Sequence, residues 1–406
     1  MPVAVAGGLK RFHRAISAAV LAAAVLAALG GCAAPNATAP TAASTSTAST
    51  GNATAALSSW RDGPSRQTIV KFVDAVTREG SPDFVPPAER IAVFDNDGTL
   101  WSEQPLYFQF FFLLDQVRQA APKHPEWNNN PAFKALMAND MNALMREEKH
   151  LLPLIAAGNS GMTVDEYDRT IRAWLESARH PKFNRPYTEL VYQPQLELLK
   201  YLRANGFKTY IVSGGTIEFM RPWAERVYGI PPEQVIGSTQ TVTYELRNGQ
   251  PALVRGPKLE FIDDGPGKPV GIYRQIGRRP ILAVGNSDGD LQMLQYTVAG
   301  PGQRLAVLVH HDDAEREFAY DRQSRIGKLD RALDEALARG WTVISMKRTG
   351  CRSIRSQNLE CTTLFSTGGQ HDRRKANALD IRDAYDQAGC DHGDHCDHGR
   401  GRLQEG

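Results

Sequence analysis

Three short apolar runs, far apart in the chain, each stop on a polar residue beside glycine-containing turn chemistry. Residues 90–94 run into Asp95, residues 208–212 into Ser213, and residues 281–284 into Gly285-Asn286. Short apolar runs without alternation are the pattern of strands buried on both faces. Helix-like stretches lie between them, including residues 196–204, 217–227 and 329–338, and residues 304–309 and 341–346 are further strand candidates. Strands alternating with helices predict an α/β fold, a parallel sheet with helices on both faces. Ligands of such open sheets bind beyond the carboxyl ends of the strands. Asp95, Ser213 and Asn286 are therefore expected to converge on one crevice. One buried strand ending on a polar residue is ordinary, but three of the same form argue for a site.

The segments around these runs are helical in character. Residues 67–77 carry Ile69, Val70, Phe72, Val73 and Val76 on one face, and Trp101 to Arg185 reads as mostly helical. Within it lie the dense apolar residues 106–114 and the amphipathic stretches 131–148 and 164–178. We read residues 102–190 as a helical cap inserted after the first strand, with its phenylalanine cluster as cap core rather than a substrate box.

Composition narrows the partners. The chain has 406 residues, and its formal net charge of +2 argues neither for nor against nucleic acid or a membrane surface; no basic run is interleaved with aromatics, and nucleic acid is not an expected partner. Of the five cysteines, Cys32 stands alone and Cys351, Cys361, Cys390 and Cys396 follow residue 350. No disulfide can form within 33–350, and the central domain must be held by its core.

The most specific signal is Phe94-Asp95-Asn96-Asp97-Gly98-Thr99-Leu100. A lone DxD is weak, because acidic turns are common; at the end of a buried strand with glycine directly after it, it is not. Val212-Ser213-Gly214-Gly215, Gly267-Lys268-Pro269-Val270 and Gly285-Asn286-Ser287-Asp288-Gly289-Asp290 follow in that order. Over roughly residues 65–347 the chain resembles the phosphatases of the haloacid dehalogenase superfamily, in their phosphoserine phosphatase-like branch with a helical cap. The resemblance implies a Rossmannoid parallel sheet and a Mg²⁺-dependent hydrolysis of small phosphate monoesters. It implies Asp95 as the nucleophile that forms an aspartyl phosphate and Asp97 as the general acid and base. Ser213, Gly214 and Lys268, with Thr99, would hold the phosphoryl group. Asp95, the Asp97 carbonyl, and Asn286 with Asp290 would hold the metal through hard oxygen ligands.

One position departs from the pattern: an aspartate is usual where this chain has Asn286. An amide oxygen can ligate Mg²⁺ but brings no charge, and whether Asn286 or Asp290 touches the ion stays open. Lys258 rivals Lys268 for the lysine role, although only Lys268 opens an expected helix. Glu103 and Gln104 could reach substrate from the cap base or simply cap a helix. Two other functions stay in view: a surface lipoprotein binding phosphorylated ligands without turnover, and a dehalogenase, which has no need of an acid at Asp97.

The two ends read differently. Lys10, Arg11 and Arg14 precede the uncharged run 15–29, which ends in Leu29-Gly30-Gly31-Cys32. This suits an export signal over residues 1–31 and resembles a bacterial lipobox, so the expectation is an exported protein anchored to the cell envelope by lipid on Cys32. Residues 32–64 are rich in Ala, Thr, Ser and Pro and read as a disordered tether. Residues 348–406 read as a disordered Cys/His-containing tail whose spacing fits no standard zinc site; out-of-frame coding would also explain its change in composition.

Overall fold

The computed structural model describes residues 56–350, without 147–149, 151–152 and 156–159, together with Ser353 and Ile354. The expected export signal, Cys32, most of the tether and most of the tail lie outside the described residues. So do the tail's four cysteines.

The described strands are β1 (Ile91–Phe94), β2 (Lys208–Thr216), β3 (Val235–Arg247), β4 (Gln250–Phe261), β5 (Leu282–Gly285), β6 (Leu305–Asp312), β7 (Ala319–Tyr320) and β8 (Thr342–Ser345). They form one sheet in the order β4-β3-β2-β1-β5-β6-β7, with β8 also paired to β6. The central strands are parallel: Phe94 pairs with Ile211 on one side and Val284 on the other. β4 runs antiparallel to β3, and β7 runs antiparallel to the end of β6. From β1 the chain moves outward through β2 and β3, then crosses back to β5 and β6. The crossover places a reversal of strand order between β1 and β5, where such sheets bind ligands.

The helices are α1 (Pro64–Thr77), α2 (Phe108–Ala120), α3 (Pro131–Met137), α4 (Met141–Arg146), α5 (Val164–Ser177), α6 (Gln193–Ala204), α7 (Ile217–Tyr228), α8 (Gly267–Ile276), α9 (Leu291–Val298), α10 (Arg331–Arg339) and α11 (Met346–Thr349). Strand alternation splits the core between the two sheet faces. Ala92, Phe94, Val284 and Val307 pack with residues of α1, α6, α7 and the cap, whereas Ile91, Val93, Ala283 and Leu308 pack with α8, α9 and α10. The α/β architecture is as expected.

Four local features differ from expectation. The stretch 131–148 is broken into α3 and α4 around Asn139, which takes a left-handed φ of 54°. The long hairpin β3–β4 was not expected; it turns at Asn248 (φ 52°) and Gly249 (φ 76°), a pair suited to the tight turn that matches strand twist. Its far half exposes Tyr244, Leu246 and Leu253. Leu57 and Trp60, assigned by composition to the tether, are buried; Trp60 bridges to Gly350 and donates its indole N–H to the Pro194 carbonyl. Ile354, beyond the expected boundary at 347, is also buried and bridges to Tyr192. The folded body thus extends past both boundaries, because a few apolar residues in a polar stretch suffice once a neighbouring surface receives them.

Candidate active site

The sheet brings the three strand ends together. Asp95 follows β1, Ser213 lies within β2, and Asn286 follows β5. The chain after Asp95 turns sharply, with the Asn96 carbonyl accepting from the N–H groups of Thr99, Leu100 and Trp101. Gly98 makes this turn at φ +73°, in the left-handed region. A Cβ there would also fall 2.0 Å from Asn286 Nδ2 and 2.3 Å from Glu103 Oε1, so space and conformation both demand glycine.

Lys268, the second residue of α8, is the hub of the charges. Its Nζ donates to Asp95 Oδ1 at 2.7 Å, to Asp290 Oδ1 at 2.5 Å and to the Val212 carbonyl at 3.0 Å. Burial disfavours its ammonium, but Asp290 and Asp95 outweigh that cost and hold its pKa above the usual lysine range. Burial, followed by the charge of Asp290, pushes the Asp95 carboxyl upward against the pull of Lys268. The rival Lys258 is exposed on β4.

Asp97 is oriented by Trp101, whose indole N–H donates to its Oδ1. Burial raises the Asp97 pKa to about 6, and the Trp101 bond opposes the rise. A Cβ on Gly215 would stand 3.1 Å from Gln109 Oε1, 3.4 Å from Ser213 Oγ and 3.8 Å from Asp97 Oδ2. The strand-end serine, the second acid and a cap glutamine therefore surround one backbone position. Gln109, in α2, bonds both the amide and the hydroxyl of Thr216, so the cap is fastened to the serine loop.

The residues after β5 divide by function. Asp290 is fully buried: Oδ1 takes Lys268, and Oδ2 accepts the N–H groups of Asn286 and Ser287. Asp288 caps the start of α10, accepting from the amides of Asp330 and Ala332. The Asn286 amide lies between Thr99 Oγ1, 3.0 Å from its Oδ1, and Glu103 Oε1, 2.7 Å from its Nδ2. The hydroxyl of Thr99, expected on the phosphoryl group, is thus spent on Asn286, tying the first motif to the fourth. Gln104 bonds the Ile326 carbonyl.

Sequence reasoning did not single out the layer beneath this turn. His311 Nε2 donates to the Gly98 carbonyl at 2.7 Å, and its Nδ1 faces Glu317 Oε1 at 3.3 Å. Burial opposes the charged ring, but Glu317 outweighs it, and the His311 pKa is raised. Tyr320 stacks on His311 at 4.6 Å and donates its hydroxyl to Glu103. A signal existed: His310-His311 ends the run of β6, as Asp95 ends that of β1.

Asp95 and Asp290 share the one lysine Lys268, whose charge also acts on Asp97, and that excess of negative charge is one a divalent cation would offset. Among the described residues no group of three His, Cys, Asp or Glu side chains is arranged to hold a metal. A donor set of one carboxylate, one backbone carbonyl and one amide oxygen nevertheless suits Mg²⁺, which keeps several waters. Asp95, Asp97 and Asn286 offer those three groups, so the residues fit the ion.

Residues 92–295, half of the chain, match the family described as HAD: haloacid dehalogenase-like hydrolase. None of the curated proteins matches. Among solved structures, a conserved protein of unknown function from Anaerococcus prevotii DSM 20548 is similar at 16% identity, covering 65% of this chain and 95% of its own, with a TM-score of 0.41. A protein of unknown function from Bordetella pertussis Tohama I matches at 18% identity over 63% and 98% of the two chains, with a TM-score of 0.39. A phosphoserine phosphohydrolase-like protein from Francisella tularensis matches at 16% identity over 54% and 87%, with a TM-score of 0.30.

Proposed function

The chain belongs to the haloacid dehalogenase-like hydrolase family, and from that membership we propose that it is a Mg²⁺-dependent phosphatase of small phosphate monoesters. The observation that carries this reading is the second acid. Asp97 stands beside Ser213 and the Lys268-paired Asp95, oriented by Trp101, with its pKa raised to about 6. A general acid and base works best when its pKa is near the working pH.

Asp95 attacks phosphorus and becomes the aspartyl phosphate as the bond to the leaving oxygen breaks. Asp97 gives its proton to that oxygen, then takes one from the water that cleaves the acyl phosphate and frees Asp95. Lys268 and Ser213 hold the phosphoryl oxygens and offset their charge. Mg²⁺, held by Asp95, the Asp97 carbonyl and Asn286, would lessen repulsion between the nucleophile and a phosphate dianion. Both Asp290 oxygens are already engaged, which favours Asn286 as the ligand after β5.

Release of p-nitrophenol from its phosphate, with Mg²⁺ or with EDTA, tests the proposal. Turnover should require Mg²⁺ and disappear in Asp95→Asn; normal turnover in that variant would sink the nucleophile assignment. We extend the proposal to location: the basic start, the apolar run 15–29 and Cys32 support export and lipid anchoring. Among the described residues no helix is long and apolar enough to cross a membrane. Cys32→Ser should move the protein from the membrane fraction to the soluble one, and unchanged fractionation would remove the anchor.

A further inference from the structure

We propose that Glu103 is a positioning residue of the metal site: it holds the Asn286 amide with its oxygen presented to the cation and supplies the negative charge that Asn286 lacks. The inference rests on the Mg²⁺ reading above.

The two ends of a primary amide are nearly equal in size and opposite in use. The oxygen can ligate a cation, whereas the NH₂ group only donates hydrogen bonds. An unheld asparagine could turn either end toward a metal. Glu103 removes the choice: its Oε1, which also takes the Tyr320 hydroxyl, is an acceptor 2.7 Å from Asn286 Nδ2. From the other side the Thr99 hydroxyl, 3.0 Å away, donates to Oδ1. A hydroxyl could serve either end of the amide, so Glu103 sets the orientation and Thr99 follows it. Partners of this kind usually orient a metal ligand and tune its donor strength.

Glu103 is itself held in place. It is 2% exposed, so it is not a solvated cap-base acid. Its Oε1 also accepts the Tyr320 hydroxyl at 2.8 Å, and Tyr320 is stacked on the ring of His311. The Gly98 backbone passes against the Glu103–Asn286 bond so closely that a Cβ would clash with both partners. The pair is thereby built into the turn that carries Asp97.

Charge makes the same case. A buried carboxylate is costly unless a cation compensates it. Lys268 is shared by Asp95 and Asp290, and His311, whose charge also favours an ionised Glu103, is hydrogen-bonded to Glu317 and not to Glu103. A cation on Asn286 Oδ1 would lie one amide group away from Glu103. The carboxylate usual at position 286 has in effect been moved to position 103, with the amide as relay.

The test is a charge swap in the full chain, read by calorimetric titration with Mg²⁺ alone and by near-ultraviolet circular dichroism for folding. Glu103→Gln should weaken Mg²⁺ binding at least tenfold, in line with losses at metal-supporting residues. The double variant Glu103→Gln/Asn286→Asp restores a carboxylate at the ligand position, faced by an amide donor, and should bind within about threefold of the wild type. A folded Glu103→Gln that binds like the wild type overturns the inference, and so does a swap no better than Glu103→Gln. If Glu103→Gln fails to fold, the swap alone decides: folding with near-normal binding upholds the inference, and any other result overturns it. A wild-type chain that takes up no Mg²⁺ instead overturns the cofactor reading, an outcome distinct from a null effect at Glu103.

Discussion

Trp101 and Asp97 are joined by an indole N–H bond of 2.7 Å, and Trp101 is itself fixed by stacking on Trp223 at 4.3 Å. The second acid is therefore aimed by the aromatic core beneath the cap and not by the loop that carries it. Its protonation is tuned by the same bond.

Trp101→Phe keeps the stacked ring and removes the donor. The Asp97 pKa should rise from about 6, because a bond that favours the ionised form is lost. Where protonated Asp97 serves as the acid, the alkaline limb of the pH–rate profile should move upward. Turnover should nevertheless fall about tenfold at neutral pH, because the carboxyl loses the bond that aims it. An unmoved limb with normal turnover would show that Trp101 has no part in the proton transfer.

Lys268→Met leaves Asp95 and Asp290 buried without their shared cation. Removing one partner of a buried ion pair costs about 3–5 kcal/mol, so the variant should unfold much earlier in urea at pH 7. Acidification should recover part of that loss, because protonating the two acids removes the uncompensated charge. A variant equally destabilised at pH 5 and pH 7 would contradict this.

Metal-free stability should fall as pH rises. Burial raises Asp97 to about 6 and both Glu103 and Asp263 to about 7. A carboxyl whose pKa is raised by folding stabilises fully below its ordinary value near 4, and that contribution is lost as pH climbs through the folded value. In EDTA, the melting temperature should decline from pH 4.5 to pH 8. Asp263→Asn should flatten the decline and add about 1–3 kcal/mol at pH 8; a steeper slope would refute it.

Gly98→Ala should lower turnover at least a hundredfold while the chain stays folded. The left-handed backbone costs about 1–2 kcal/mol for a non-glycine residue, well short of unfolding a domain, but the new methyl must push Asn286 and Glu103 apart. Folding is checked by circular dichroism and turnover on p-nitrophenyl phosphate. Near-normal turnover would mean that the turn tolerates displacement.

Much of this arrangement was legible in the sequence because its signals are local. The runs ending on Asp95, Ser213 and Asn286 mark buried strands, and the order of those strands in space makes their ends meet. Lys268 was distinguished from Lys258 by the helix it opens. What escaped was set by distant contacts. Nothing near His311 announces that it will reach the Gly98 carbonyl, and nothing near Glu103 announces Tyr320. The β3–β4 hairpin is a different kind of miss, since Asn248-Gly249 between alternating residues is itself a strong turn signal. Leu57 and Trp60 were hidden in a polar stretch, where composition averages away two residues with places in the core.

The bridge between Trp60 and Gly350 also joins two stretches of chain that lie near the two borders of the described body. The two stretches lie side by side, with the Arg61 amide bonded to the Thr349 carbonyl at 2.8 Å. Topologically the domain is almost a ring with a single seam. A short linker across that seam could close it, and a new opening at Asn248-Gly249 would leave every strand that carries a catalytic residue unbroken.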